Sequence, residues 1–291
     1  MLPVAGDYTN LFAMQVVRTL GSLRQACGAA RAGAGALALV PTMGALHDGH
    51  RALVRAAVRS RAATVVSIFV NPLQFGPSED LSRYPRDEAG DLEKLEACGC
   101  DVAWLPDVAT MYPPGDATTI RVCGPAERWG GEARPGHFRG VATVCAKLFG
   151  QVRPDRAFFG EKDWQQLQVV KRMVVDLQLS LEIVPVPTVR EPDGLAMSSR
   201  NRFLSASERA LAPRLFSALV TAAERIHHGA AVEAVQSSAI GLLHADGFAV
   251  EYLALVDGST LVPIASVQAD SRLIAAARLG AVRLLDNIDL K

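Results

Sequence analysis

The fold of this chain is decided by P-T-M-G-A-L-H-D-G-H, residues 41–50. This stretch follows a short apolar run at residues 36–40 and leads into residues 50–61, where apolar side chains recur at helical spacing. A second apolar run, rich in β-branched residues, follows at residues 63–70. Strand, loop, helix and strand in this order predict a right-handed βαβ unit in a parallel sheet.

The same alternation of helical and extended patterns continues on both sides of this unit. The periodicities predict helices at residues 22–32, 88–97, 141–152 and 162–177, and strands at residues 102–105, 118–122, 156–159 and 181–186. Three prolines and a glycine at residues 185–194 indicate a crossing between two domains. Beyond it, the patterns predict helices at residues 205–228 and 231–245 and strands at residues 250–256, 273–277 and 282–285. We therefore predict an α/β fold, an open parallel sheet followed by a smaller α+β domain.

The composition limits the classes of partner. Of 291 residues, 49% are apolar and 21% are charged, as in ordinary globular proteins. Thirty basic residues balance thirty acidic ones, which argues against a nucleic-acid partner. Apolar stretches are too short to span a bilayer, so we expect no membrane partner. Five cysteines without a C-x-x-C pair predict a reducing, cytoplasmic location.

The H-x-G-H sequence of residues 47–50 predicts a phosphate site. At the start of a helix, unpaired backbone N–H groups and the positive end of the dipole favour an anion. His47 and His50 add donors for phosphate oxygens, and Gly49 permits close approach. The alternative is a turn with two incidental surface histidines, which the flanking strand and helix disfavour.

Two further segments carry groups suited to phosphate. Residues 160–163, G-E-K-D, place Lys162 between a strand and a helix, although lysine supplies only five of the thirty basic residues. Residues 197–200, M-S-S-R, offer two hydroxyls and a guanidinium in a loop. Taken singly, the first segment is more typical of a solvated helix start and the second of a polar turn.

Neutral amides at two places suggest recognition of a small organic acid. Asn71 and Gln74 follow a strand, and Gln165 and Gln166 begin a predicted helix. An amide can orient a carboxylate without the strong ion pair that would stabilise its ground state and weaken it as a nucleophile. Residues 134–139, R-P-G-H-F-R, are predicted to form a lid, an anion gate or a plain surface loop.

Together these segments resemble one family. The matching stretches are residues 41–50, 69–75, 80–86, 134–144, 159–166, 189–201 and 283–287, in this order along the chain. The chain is similar over residues 18–287 to the pantothenate synthetase (pantoate–β-alanine ligase) family of HxGH nucleotidyltransferases. The resemblance implies a Rossmann-like nucleotidyltransferase domain at residues 1–187, a smaller C-terminal domain covering the site at residues 188–291, and a homodimer.

The resemblance also implies a reaction and a set of site residues. The reaction joins (R)-pantoate to β-alanine through a pantoyl adenylate, with ATP as substrate and Mg2+ present, and releases AMP and pyrophosphate. His50, as proton donor, with His47 and Lys162 would be the catalytic residues, and Asp163 would bind the ribose or the metal. The residues assigned to ATP are Met43, Gly44, Ala45, Leu46, His47, Asp48, Gly49, His50, Gly160, Glu161, Lys162, Asp163, Val189, Met197, Ser198, Ser199 and Arg200. Those assigned to pantoate are Asn71, Gln74 and Gln166, and β-alanine would lie near Gln74.

Two other kinds of function stay open at this level. One is another H-x-G-H enzyme, such as a nucleotidyltransferase or an aminoacyl-tRNA synthetase, although the zero net charge argues against a tRNA partner. The other is a nucleotide-binding regulator without catalysis, which would not need His47, His50 and Lys162 together. Turnover with pantoate, β-alanine and ATP distinguishes the three.

Overall fold

The computed structural model describes residues 14–76 and 81–290. Residue 80 of the matching stretch at 80–86 and the outer ends of both predicted domains therefore lie outside the described residues. Six parallel strands form the larger sheet: β1 (Gln15–Val17), β2 (Leu37–Thr42), β3 (Ala63–Ile68), β4 (Val102–Trp104), β5 (Arg156–Gly160) and β6 (Glu182–Val186). A second, antiparallel sheet contains β7 (Ala249–Asp257), β8 (Ser271–Leu279) and β9 (Val282–Asp289). This architecture confirms the predicted Rossmann-like α/β fold with a smaller α+β part.

Ten α-helices are interspersed with the strands in the described part of the chain. They are α1 (Leu20–Ala34), α2 (Asp48–Arg59), α3 (Glu88–Ala97), α4 (Val108–Met111), α5 (Gly130–Ala133), α6 (His137–Val152), α7 (Trp164–Asp176), α8 (Ala206–Leu211), α9 (Arg214–His227) and α10 (Val232–Ala245). Single 3-10 turns lie at Pro72–Gln74, Glu161–Asp163 and Ser199–Phe203. Among the described residues, no helix combines the length and apolar character that a bilayer crossing needs.

The strand order decides where a ligand can bind. The larger sheet runs β1-β4-β3-β2-β5-β6, so the chain builds outward in one direction from β2 and in the other from β5. Ligands of open α/β sheets bind at such a reversal, outside the carboxyl ends of the strands. Residues 41–50 run from the end of β2 through the following loop into the start of α2, and residues 160–163 run from the end of β5 through the following turn. The topology therefore brings the two predicted phosphate segments together.

Apolar side chains cover both faces of the larger sheet. Leu37 and Leu39 of β2 point into a core shared with α1, α6 and α7, and Ala38 and Val40 point into a core shared with α2 and α3. Burial on both faces explains why β2 reads as a continuous apolar run. The smaller sheet packs against α9 and α10 through a separate core that includes Leu219, Leu243 and Leu273.

Two sequence predictions differ from the structure. Residues 118–122 are not a strand: the backbone N–H of Ile120 donates to the side chain of Thr143 at 3.0 Å and not to a neighbouring strand. The helix predicted at residues 205–228 is divided into α8 and α9 at Pro213. Proline has no backbone N–H for a helical bond and its ring crowds the preceding turn, so α8 ends and α9 starts there.

Candidate active site

A cleft of about 290 Å³ lies at the carboxyl ends of β2 and β5. Residues of β8 and β9 close it from the opposite side. The predicted site residues that line it are Met43, His47, Gly49, His50, Asn71, Gln74, Gly160, Lys162, Asp163, Gln166, Val189, Met197, Ser198, Ser199 and Arg200. Segments separated by more than 150 residues in the sequence thus meet around one space.

Five of the residues predicted to contact the nucleotide are not among those that line the cleft: Gly44, Ala45, Leu46, Asp48 and Glu161. The backbone N–H groups of Ala45 and Leu46 donate to a buried carboxylate of α3, and that of Gly44 donates to a hydroxyl of β2. Asp48 is exposed and pairs with a neighbouring arginine of α2, and the Glu161 carboxylate lies 3.9 Å from an arginine of β8. Asp48 and Glu161 thus have cationic partners outside the lining of the cleft, and Gly44, Ala45 and Leu46 shape the loop that leads to α2.

His47 and His50 form a reciprocal cap at the start of α2. The His47 Nδ1 accepts the backbone N–H of Gly49 at 3.1 Å, and the His50 Nδ1 accepts the backbone N–H of His47 at 3.3 Å. The two ring centroids are 4.1 Å apart. A Cβ at Gly49 would lie 2.8 Å from the His47 ring, so this position requires glycine. The H-x-G-H spacing therefore serves the capping of α2 as well as the chemistry, because the reciprocal cap needs both histidines and the glycine between them.

Burial keeps both imidazoles neutral. Burial and, to a smaller extent, the Lys162 ammonium together lower the pKa of His47 to about 4. Burial likewise lowers the pKa of His50 to about 3, with His47 and Lys162 acting in the same direction. Because each Nδ1 accepts a backbone N–H, the proton of each neutral ring sits on Nε2. The cleft wall thus holds two neutral N–H donors.

Lys162 and Asp163 supply opposite charges beside the histidines. The Lys162 Nζ lies 3.5 Å from the Asp163 carboxylate. Burial by itself would raise the pKa of Asp163, but Lys162, Arg200 and His137 together hold it below its usual value. Asp163 is therefore ionised at neutral pH, and several cationic groups remain close to it.

Asn71 and Gln74, two amides that line the cleft, are held in place by neighbours. Asn71 is 1% exposed, and its Nδ2 donates to Gln74 Oε1 and to the Gly140 carbonyl, both at 3.1 Å. Gln74 Nε2 donates to the sulfur of Met43 at 3.0 Å. Asn71 thus orients Gln74, and Asn71, Gln74 and Gln166 all line the cleft.

The segment predicted as a lid or gate is anchored under Gln74. Its second half is the first turn of α6, and His137 Nδ1 lies 2.8 Å from the Gln74 carbonyl oxygen. Arg134 donates to the same carbonyl at 3.3 Å and lies 3.0 Å from the other His137 nitrogen. Gln165, in contrast, bonds to backbone groups of residues 125–130 and holds that loop.

The family model described as pantoate–β-alanine ligase matches residues 15–289. The chain belongs to this family. The structure places the H-x-G-H, G-E-K-D and M-S-S-R stretches, which carry the resemblance, around one cleft.

Relatives of the ligase family are similar over almost the whole chain. Pantothenate synthetase from Granulibacter bethesdensis is 60% identical over 277 residues, which cover 94% of this chain and 96% of the relative. Pantothenate synthetase from Rhizorhabdus wittichii is 57% identical, with 94% and 98% covered. The crystal structure of pantothenate synthetase from Thermus thermophilus matches with a TM-score of 0.90 at 48% identity, covering 95% of this chain and 99% of that one. The ligase from Francisella tularensis, complexed with beta-gamma ATP and beta-alanine, matches with a TM-score of 0.78 at 29% identity, covering 96% and 98%.

Sequence reasoning missed several residues of this ligase's cleft. Tyr84 lies on the wall, its ring centroid 5.6 Å from the Arg200 guanidinium and its hydroxyl 3.4 Å from that of Ser199. Asp286 and Asn287 of β9 also line the cleft. The signal for all three was present in the matching stretches at residues 80–86 and 283–287, but nothing in the local sequence indicates what those side chains contact.

Proposed function

We propose that the chain condenses (R)-pantoate with β-alanine to form pantothenate, using ATP and passing through a pantoyl adenylate. The observation that carries the proposal is the convergence of His47, His50 and Lys162 on one cleft at the switch point of the sheet. Membership of the ligase family supports it, as does the Francisella relative complexed with a nucleotide and beta-alanine. The product belongs to coenzyme A biosynthesis.

The first step transfers adenylate to pantoate. An oxygen of the pantoate carboxylate bonds to the α-phosphorus of ATP while the bond to pyrophosphate breaks. Negative charge builds up on the phosphate oxygens and on the leaving pyrophosphate. The neutral N–H groups of His47 and His50 and the ammonium of Lys162 are fixed donors for that charge. Because no enzyme nucleophile is needed, catalysis consists of positioning and electrostatic stabilisation.

His50 acts here as a hydrogen-bond donor in the neutral form. With a pKa of about 3 it carries no positive charge at neutral pH, so its predicted donor role falls to the Nε2–H group. The positive charge comes from Lys162 and, in the loop of residues 198–200, from Arg200. The hydroxyls of Ser198 and Ser199 add neutral donors to the same loop.

Gln74 and Gln166 bind pantoate in this proposal, with Asn71 holding Gln74. An amide donor orients the attacking carboxylate without a strong ion pair that would lower its reactivity. In the second step the β-alanine amine, near Gln74, attacks the pantoyl carbonyl carbon and loses a proton. The bond to AMP then breaks, and AMP leaves with the bridging oxygen. The acyl adenylate needs a site without water, which the residues of β8 and β9 help to close.

Mg2+ enters the proposal with the nucleotide. Among residues 14–76 and 81–290, no group of three or more His, Cys, Asp or Glu side chains is arranged to hold a metal ion. The cleft carboxylates Asp163 and Asp286 are each paired with a cation. These residues do not fit a metal held by protein ligands, whereas Mg2+ keeps most of its waters and binds through substrate phosphates in many ATP-using enzymes.

Three further properties are carried over as proposals. The domain boundary at residues 187 and 188 falls just after β6, and limited proteolysis tests it. The homodimer follows from the family resemblance, and analytical ultracentrifugation tests it. A cytoplasmic location is supported by the five cysteines, which are all free and of which four are buried.

The proposed function is tested by supplying pantoate, β-alanine, ATP and Mg2+ to the purified protein. We expect AMP and pantothenate to appear in equal amounts. A nucleotidyltransferase that ends in a nucleotide-linked product would consume ATP and pantoate equally well without β-alanine. If the steady-state rate of pyrophosphate release is the same with and without β-alanine, the proposal is contradicted.

A further inference from the structure

Asn287 of β9 connects the smaller sheet to the turn that carries Lys162. Its side chain is almost fully buried, and its Nδ2 donates to the carbonyl oxygens of Glu161, at 2.9 Å, and Lys162, at 3.0 Å. Both amide hydrogens are therefore used on two consecutive carbonyls of the 3-10 turn at Glu161–Asp163. A turn held at two adjacent peptides has little freedom to rotate.

The orientation of this amide is itself fixed. Asn287 Oδ1 accepts a hydrogen bond from Arg272, whose guanidinium lies 3.3 Å from the ring centroid of Trp164. The Asn287 backbone N–H donates to the Asp286 carboxylate at 2.7 Å. With its oxygen bound to a cation, the amide presents only its NH2 group to the turn.

The neighbouring residue holds the second phosphate-facing segment. Asp286 is 3% exposed at its side chain and accepts two hydrogen bonds from Arg190, at 2.7 and 2.8 Å. Arg190 pairs through its backbone with Ala196, directly before residues 197–200. Two consecutive residues of β9 thus fix both the Lys162 turn and the base of the loop that carries Ser198, Ser199 and Arg200.

We propose that Asn287 is a positioning residue that acts through Lys162. By holding the carbonyl groups of Glu161 and Lys162, it fixes the position of the 3-10 turn and therefore the position of the Lys162 ammonium group at the α-phosphate. The inference rests on the proposed adenylation chemistry. Misplacing a charge-stabilising group by about 1 Å can cost about 100-fold in rate, because its effect depends on distance and alignment. The smaller sheet therefore contributes to the first chemical step through one amide as well as closing the cleft.

The variant that tests this is Asn287→Asp. It keeps the shape of the side chain but faces the two carbonyl oxygens with an oxygen in place of the NH2 donors. We expect pantoate-dependent exchange of pyrophosphate into ATP to lose between about 10-fold and about 100-fold in kcat, with the KM for pantoate unchanged. In a Lys162→Gln background the same substitution should change the remaining exchange by less than about 2-fold, because the group it positions is gone.

The second half-reaction is an internal control. In the reaction of synthetic pantoyl adenylate with β-alanine, charge builds up on the departing AMP phosphate and none on pyrophosphate, so Asn287→Asp should lose less of this rate than of the exchange rate. The exposed Arg278→Gln, which removes an ion pair with Glu251 from the same sheet, should leave both half-reactions unchanged. If Asn287→Asp does not fold, Asn287→Ser, whose shorter side chain does not reach the carbonyls, takes its place.

Several results would overturn the proposal. Undiminished exchange in the folded variant would show that the turn holds its position without Asn287. Equal losses in the wild-type and Lys162→Gln backgrounds, or equal losses in both half-reactions, would show a general structural role. A wild-type protein that makes no pantothenate would instead contradict the proposed function itself, which separates the two failures.

Discussion

The carboxylate of Asp91 on α3 accepts the backbone N–H of Ala45, in the loop after β2, at 2.8 Å. Its second oxygen accepts the N–H of Leu46 at 2.7 Å. Asp91 is fully buried, and Ala45 has a φ of +50°, a conformation that costs energy for a residue with a Cβ. One carboxylate thus holds the strained loop that leads into the H-x-G-H helix start, although neither residue carries out chemistry.

Asp91→Asn should destabilise the protein and weaken adenylation together. An amide has only one acceptor oxygen, so one of the two buried N–H groups loses its partner at a cost of about 1–3 kcal/mol. The loosened loop should then misplace His47 and His50. Urea denaturation measures the free energy of unfolding, and pyrophosphate exchange at a temperature well below the transition measures activity. Glu93→Gln, exposed on the same helix, is the control, and equal stability of the two variants would contradict the assignment.

His50→Ala should lower pantoate-dependent exchange by orders of magnitude while the fold survives. The substitution removes one of two fixed N–H donors, and loss of a single such donor costs roughly 100-fold to 1000-fold in other enzymes. Circular dichroism and thermal unfolding verify the fold, and exchange kinetics report the role. His244→Ala, on the exposed face of α10, should be indistinguishable from wild type. Exchange at nearly the wild-type rate in folded His50→Ala would contradict the role assigned to His50.

Acid should destabilise the protein through the same histidines. The pKa of His47 is about 4 and that of His50 about 3 in the folded state, below the ordinary value of 6.5. Between these values and 6.5 the unfolded chain binds protons that the folded chain does not, so stability falls as pH decreases through this window. Unfolding free energies at pH 7 and pH 4.5 should differ less in His50→Gln than in wild type. An unchanged difference would show that His50 is not held neutral by burial.

Gln74→Ala should weaken the use of pantoate more than the binding of ATP. Gln74 is held by Asn71 and by the sulfur of Met43, so its loss removes an amide donor and one contact to Met43. His47, His50 and Lys162 keep their own contacts. The KM for pantoate in the exchange reaction should rise several-fold, while ATP affinity measured by calorimetry changes little. An ATP affinity that collapses with unchanged pantoate kinetics would place Gln74 in the wrong subsite.

The pattern of apolar residues along the sequence was sufficient to predict those helices and strands that depend mainly on neighbouring residues. The βαβ unit around residues 41–50 and the helix at Glu88–Ala97 follow from apolar periodicity and were predicted correctly. The break at Pro213 was missed because apolar spacing continues on both sides of it. Residues 118–122 alternate like a strand, yet have no strand partner in the described part of the chain, since pairing depends on neighbours distant in sequence.

In the candidate site, too, some residues could be predicted from the sequence and others could not. The histidines, Lys162 and the serines stand out because their residue types and spacings suit phosphate chemistry. Asp91 and Asn287 do not stand out, since each acts on backbone groups 45 or more residues away in the chain, at Leu46 and at Glu161 and Lys162. A side chain that holds a backbone carbonyl or N–H leaves no periodicity in sequence, so only the folded arrangement reveals it.

The most direct test of the central claim is a quench-flow experiment on the purified protein with ATP, Mg2+ and pantoate, without β-alanine. If the cleft stabilises charge at the α-phosphate, a burst of pantoyl adenylate should form in stoichiometric amount with pyrophosphate, and adding β-alanine should convert it to pantothenate and AMP. Two results would contradict the account: no reaction of ATP with pantoate at all, or pantothenate that forms after β-alanine is added although no pantoyl adenylate was detected before.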